Sequence, residues 1–170
     1  EKTDKDRGQT QQVSFVNNIL LSDEQTITLG LDYKVEKDKS RGKSYEKKSA
    51  DSKSIFAIHN LNYKSFFNSL SIRSEHHELF GHHISYRIAP GYYINQSKTK
   101  LKSSASTGFR APTVNQLYNT QSGNKDLKPE ESFNYEAGFE QITSKNFKFG
   151  STFFRNLISN KFDSEKIAAF

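Results

Sequence analysis

Four of the five histidines fall in one short stretch, where His76-His77 and His82-His83 flank Glu78-Leu79-Phe80-Gly81. Read as a β-hairpin, the stretch sets His77 opposite His82 at its tip. Cross-strand neighbours are close enough for two imidazoles to share one metal ion, and Glu75 or Glu78 could add an oxygen ligand. The plainer reading is a solvated polar loop whose histidines hold nothing. Other chemistry is sparse. There is no nucleophile elbow, phosphate loop, dinucleotide fingerprint or zinc-protease helix. Glu136 and Glu140 share a strand face, and paired carboxylates can do acid–base work, but charges on a polar strand face are ordinarily solvated. Cysteine is absent, which excludes a disulfide framework and a thiolate metal site. The sequence reads as non-enzymatic and without a cofactor, so its function has to lie in what its surfaces touch.

The elements that position these residues are strands. In residues 11–21, Val13, Phe15, Ile19 and Leu21 share one face. In residues 25–36, Ile27, Leu29, Leu31, Tyr33 and Val35 alternate with Thr26, Thr28, Gly30, Asp32 and Lys34. Further strands are predicted over 52–63, 66–76, 82–93 and 99–108. Another starts near Glu131, with Phe133, Tyr135, Ala137 and Phe139 on one face and Asn134, Glu136, Gly138 and Glu140 on the other. The last covers 147–158, with Phe147, Phe149 and Phe153 in its apolar row. Such alternation means an apolar medium on one side and a polar one on the other. Pro90 cannot donate a ladder hydrogen bond, so a local bulge is expected there.

Composition agrees with an all-β antiparallel up-and-down meander of about eight strands. Only a third of the residues are apolar, yet there are 14 Phe and 8 Tyr. A thin apolar skin around a polar interior is the composition of a membrane β-barrel; an ordinary antiparallel domain with one wet face is the alternative. No apolar run reaches the roughly 18 residues of a spanning helix. Short connections near 22–24, 64–65, 95–98 and 143–146 alternate with longer ones at 37–51, 77–81, 109–130 and beyond 159. Outer-membrane barrels have short periplasmic turns and longer external loops, which sets the long group outside. Tyr33, Tyr63, Phe66, Tyr92, Tyr93 and Phe147 lie near predicted strand ends, as girdle aromatics do. The net charge is +6, and its densest patch holds Lys37, Lys39, Arg41, Lys43, Lys47 and Lys48. That patch reads as a solvated loop or as a contact for lipopolysaccharide phosphates. Nucleic acid is not expected, because only Tyr45 interleaves with the basic residues.

One ordered series goes further. Phe109-Arg110-Ala111-Pro112 is followed by Leu117-Tyr118, then by Gly123-Asn124-Lys125-Asp126-Leu127-Lys128-Pro129-Glu130, then by Tyr135-Glu136-Ala137-Gly138-Phe139-Glu140. This resembles the late barrel region of TonB-dependent outer-membrane receptors. It is most similar to the cobalamin-receptor-like branch, where FRAP, LY, GNPNLKPE and YE-x-G-x-E pieces recur in this order. Lys125-Asp126 departs from the Pro-Asn usual there.

The resemblance implies that residues 1–170 are part of a larger transmembrane barrel of about 22 strands, without its plug domain or TonB box, in the outer membrane of a Gram-negative bacterium. The implied partners are outer-membrane lipid and lipopolysaccharide, a bulky scarce nutrient, and the TonB energy complex acting through a plug absent from this chain. The nutrient is cobalamin-like first; a siderophore, haem or metal is the alternative within the fold. Haem receptors typically carry a histidine between the two boxes, and residues 111–126 have none. A self-contained eight-stranded barrel or an adhesive β-module is the alternative from another class. Arg110, Tyr118, Asn119, Gln121 and Asn124 are the candidate ligand contacts. For Arg110 a structural role, bonding carboxylates or loop carbonyls, is the favoured reading over direct ligand contact. Phe170 resembles the terminal aromatic of outer-membrane proteins, although Ser164 and Lys166 break the pattern expected before it.

Overall fold

The structure, a computed structural model, describes residues 7–39, 48–119, 123–144 and 146–162. Its strands are β1 (Arg7–Ser22), β2 (Gln25–Lys39), β3 (Lys48–Tyr63), β4 (Phe66–His77), β5 (Gly81–Ile94), β6 (Thr99–Arg110), β7 (Glu130–Ser144) and β8 (Phe147–Ser159). Each pairs antiparallel with its neighbour in sequence, giving one sheet in the order β1 to β8. This is the predicted all-β meander. Among the described residues β1 and β8 do not pair with each other, so the sheet is open and is not an eight-stranded barrel.

The side-chain pattern assigns the faces. Val13, Phe15, Leu31, Ile55, Ile72, Ile84, Phe133, Phe149 and Phe153 project from one side, and all are substantially exposed. Apart from Pro112 and two strand glycines, the apolar residues buried among the described ones are Ala50, Val114 and Leu117. A water-soluble domain gains about 25 cal/mol per Å² by hiding such surface; here almost none of it is hidden inside. The other face is held by polar contacts between strands. Thr28 Oγ1 donates to Asn18 Oδ1 at 2.6 Å, and Lys102 Nζ reaches Glu140 at 2.6 Å. Lys148 approaches the same carboxylate at 3.3 Å.

The strands run from 12 to 16 residues, longer than the alternation suggests. Pairs such as Gln9↔Lys37 and Thr10↔Glu36 extend β1 and β2 past their last apolar residues. There the backbone ladder continues without side-chain patterning, which is why the sequence reads it as loop. The basic segment expected as a loop over 37–51 is therefore shorter, and its centre, with Arg41, Lys43, Tyr45 and Lys47, lies outside the described residues. Residues 163–170, with Ser164, Lys166 and Phe170, also lie outside them.

Two local expectations are corrected. No bulge forms at Pro90: the β5–β6 register is the same at Ile88↔Ala105 and at Gly91↔Lys102, with the ladder interrupted between. The missing N–H is absorbed by losing pairs rather than by inserting a residue. Nor do His77 and His82 oppose each other. The pairs are His77↔Gly81 and His76↔His82. Successive residues of a strand point to opposite faces, so His77 and His82 project to different sides of the sheet.

The segment 109–130 contains an element that alternation cannot reveal, the helix α1 (Val114–Tyr118). It follows β6 in sequence yet contacts β2 and β3. A segment leaving β6 reaches those strands only if the sheet curls around it, so the polar face is the concave one.

Candidate functional site

The connections that follow β4 and β6 lie at one end of the curled wall. After β6, Pro112 is buried and turns the chain inward. Thr113 caps α1: its Oγ1 accepts from Gln116 N at 3.2 Å, while Gln116 Oε1 accepts from Thr113 N at 2.9 Å. This reciprocal box satisfies two of the donors that a helix start leaves unpaired. Val114 and Leu117 are 4% exposed, so they act as the apolar foot of the segment on the polar wall.

The return path shows why several of the singled-out residues have the types they have. Gly123 N donates to Asn119 O at 2.8 Å, and Asn124 N donates to Gln116 O at 2.8 Å. A side chain at residue 123 would run into the backbone of Leu117 and Asn119, so only glycine fits this close approach. Asn124 Oδ1 accepts from Asp126 N at 2.9 Å, a turn-forming role. Lys125 Nζ lies 5.8 Å from the centre of the Tyr118 ring. Asn119 Nδ2 donates to Asn115 Oδ1 at 3.1 Å. Gln121 lies outside the described residues.

Arg110 and Glu130 close the root of the loop. They are opposed across β6 and β7, and Arg110 Nη1 donates to Glu130 Oε2 at 3.2 Å. Glu130 Oε1 also accepts from Phe162 N at 2.7 Å, and the Arg110 guanidinium sits 5.3 Å from the centre of the Phe162 ring. One carboxylate thus joins β6, β7 and the chain leaving β8. Tyr135, Glu136 and Gly138 lie in β7 below this junction, and Leu127 and Pro129 lead into it.

Between the wall and the loop is a cavity of about 390 Å³ lined by Asp32, Lys34, Arg73, Glu75, His77 and Arg110, with Phe109, Ala111 and Thr113 at its rim. Arg73 is its central cation. Its Nη1 contacts Asp32 Oδ2 at 2.8 Å, and its Nε contacts Glu75 Oε2 at 3.4 Å. Ser54 Oγ donates to Asp32 at 3.5 Å, and Lys34 pairs with Glu36 at 2.5 Å. These charges are mutually paired, so the cavity offers oriented donors and acceptors rather than a reactive group. Among the described residues, the Ser, Thr and His side chains around the cavity form no nucleophile–base–orienter set of the kind covalent catalysis needs.

The four clustered histidines separate. His77 is buried on the polar side, and its Nδ1 accepts from Leu79 N at 3.2 Å. His82 lies on the apolar side with its Nε2 2.8 Å from Ser74 Oγ, and His76 is exposed opposite it. His83 stacks on Phe109 with ring centres 3.6 Å apart, where the β5–β6 ladder has ended. No group of three or more His, Asp or Glu able to hold a metal occurs among the described residues. The sequence reading missed α1 and the Asp32–Arg73–Glu75 network. Thr113-x-x-Gln116 was the available signal for the helix; the network joins strands far apart in sequence and left none.

The family model described as TonB dependent receptor-like, beta-barrel matches residues 2–168. The chain belongs to that family. Its relatives include the vitamin B12 transporter BtuB of Photobacterium profundum, 32% identical over 123 residues, an alignment covering 72% of this chain and 20% of that protein. BtuB of Vibrio vulnificus is 33% identical over 133 residues, with 74% and 21% covered. The chain thus spans about a fifth of the length of these curated relatives. Among solved structures, the siderophore receptor PirA from Pseudomonas aeruginosa superposes with a TM-score of 0.79 at 22% identity, over 89% of this chain and 31% of that one. The copper transporter OprC gives 0.76 at 12% identity, over 91% and 30%. These structures share the fold. In a TonB-dependent receptor barrel the apolar outer face meets lipid and the polar concave face lines the lumen.

Proposed function

We propose that this chain is a wall sector and mouth of a TonB-dependent receptor in a Gram-negative outer membrane, and that the whole protein imports a scarce, bulky nutrient of the cobalamin class. The observation that carries the reading is the two-faced open sheet together with an inward-folded loop at its mouth. Unpaired strand edges are not stable within a lipid bilayer, so β1 and β8 call for flanking strands that close a larger barrel. This supports reading residues 1–170 as a partial barrel domain.

The cobalamin preference rests on the relatives near one-third identity, which are named vitamin B12 transporters. The mouth cavity suits such a ligand in kind: its paired charges, the Gln12 amide and the Ser52 and Thr113 hydroxyls can hydrogen-bond a large polar molecule without binding it covalently. Arg110, which lines the cavity, and Tyr118, Asn119 and Asn124 on the adjoining loop are the ligand contacts of this reading, with Arg110 and Asn124 acting mainly by shaping the loop; Gln121, the remaining candidate, lies outside the described residues. Energy reaches the ligand through a plug pulled by the TonB complex, and lipid and lipopolysaccharide surround the apolar face.

The test is equilibrium binding of cobalamin, a ferric siderophore and haem to the full-length purified protein. The reading expects cobalamin to bind at least about tenfold more tightly than the others, a difference of about 1.4 kcal/mol. Preference for a siderophore or haem would overturn the ligand assignment while leaving the receptor assignment in place.

A further inference from the structure

The strand register places a row of basic side chains at one level of the lipid-facing side. Tyr33 is opposite Lys53, Lys53 is opposite His76, and His76 is opposite His82. Four strands thus contribute one residue each to a continuous line. Immediately on its membrane side runs the row Leu31, Ile55, Ser74, Ile84, in which the three aliphatic side chains are more than half exposed. On β3, β4 and β5 the basic row therefore lies where the apolar band stops, while on β2 the band runs one step further, to Val35 opposite Asp51.

We propose that Lys53, His76 and His82 seat the phosphate group of an outer-leaflet lipid whose acyl chains lie along Ile55, Ile72 and Ile84. The Lys53 side chain is 70% exposed, and its nearest carboxylate oxygen, on Asp51, is at 4.0 Å. The ammonium also lies 5.9 Å from the centre of the Tyr33 ring. Asp51 and Glu78 stand on the water side of the row, where Asp51 N donates to Glu78 Oε2 at 3.0 Å. Bases border the lipid and acids border the solvent. His82 uses one ring nitrogen on Ser74 Oγ, which leaves the other for a ligand. A phosphate meets charge-assisted donors here.

A transition metal fits the same residues poorly. Lys53 would place a positive charge beside His76, and no third ligand is at hand. The row differs from the unpatterned basic loop that precedes it, because the ladder fixes its spacing. The seat rests on the proposed membrane placement of the sheet.

The experiment uses the full-length receptor in detergent, with native mass spectrometry reading how much lipid it retains. The probes are bisphosphorylated lipid A and the same lipid with both phosphates removed. Wild type should retain the phosphorylated form about tenfold more, and the triple variant Lys53→Ala/His76→Ala/His82→Ala should lose that preference, with Lys53→Arg keeping it. A triple variant that keeps the wild-type preference for the phosphorylated form would overturn the seat. So would full displacement by excess inorganic phosphate, which would make it a free-anion site. In parallel, a fluorophore on Ile84→Cys in bilayers with spin-labelled lipid reports the placement itself. Quenching without a phosphate preference sinks the seat alone; absence of quenching sinks both.

Discussion

Phe56 lies flat over Gly30. The two are opposed across β2 and β3, and the ring occupies the space that a side chain at residue 30 would fill. The Arg73 guanidinium lies 5.6 Å from the centre of the same ring. The arrangement recurs on β4 and β5, where Phe67 covers Gly91 and Lys100 Nζ lies 4.6 Å from its ring centre. Aromatic side chains on the lumenal face are thus laid against glycine backbone and bordered by cations, which lets Phe sit in a polar wall.

Gly30→Ala should force the Phe56 ring out of place. A misfit of this kind costs about 1–3 kcal/mol, read as a lower urea midpoint of the refolded barrel. Gly91→Ala should cost more, because its new side chain also meets the carbonyl of Leu101. Pairing Gly30→Ala with Phe56→Leu should recover part of the loss.

At the loop root, Glu130→Ala should do more damage than Arg110→Ala. Glu130 serves Arg110 and the Phe162 amide together, whereas the Arg110 side chain is 62% exposed. An exposed pair contributes at most about 1 kcal/mol, so Arg110→Ala should leave stability almost unchanged. Hydrogen exchange across residues 109–130 should accelerate clearly only in Glu130→Ala.

Removing the cap of α1 by Thr113→Ala should cost about 1 kcal/mol of local stability. Limited proteolysis within residues 113–124 should become faster. Leu117→Asp should free the segment from the wall altogether, and ligand affinity should fall with it if the loop shapes the mouth.

Strand existence, face and order were legible because a two-sided environment imposes a period of two on every strand. Val13, Leu31, Phe133 and Phe153 all project where their alternation predicts. The short turns were legible for the same reason, since each falls where the alternation breaks. Register was not. A shift of one residue at the β4–β5 tip separates His77 from His82, and nothing in the composition of that tip specifies it. The helix was hidden because five residues offer too little periodicity, and its capping box was the one local clue. Asn124, a candidate ligand contact by residue type, serves a turn in the structure, a role that residue type does not separate from ligand binding because amide side chains serve turns and ligands equally well.

The two-sidedness itself predicts an asymmetry of charge tolerance. Ile72→Arg places a guanidinium in the middle of the lipid-facing band and should cost about 2–4 kcal/mol, measured as folding stability in vesicles. Ser69→Arg, on the lumenal face of the same strand, should cost little.

The most direct test uses a cysteine-free background of the full-length protein; residues 1–170 already contain none. Single cysteines placed in turn at residues 69 to 74 of β4 in the full-length protein, reconstituted in bilayers, are probed with a water-soluble thiol reagent and with a lipid-borne spin label. Leu70, Ile72 and Ser74 should report lipid, and Ser69, Ser71 and Arg73 should report water. A uniform response along the strand, or the opposite phase, would contradict the assignment of a lipid-facing and a lumenal side.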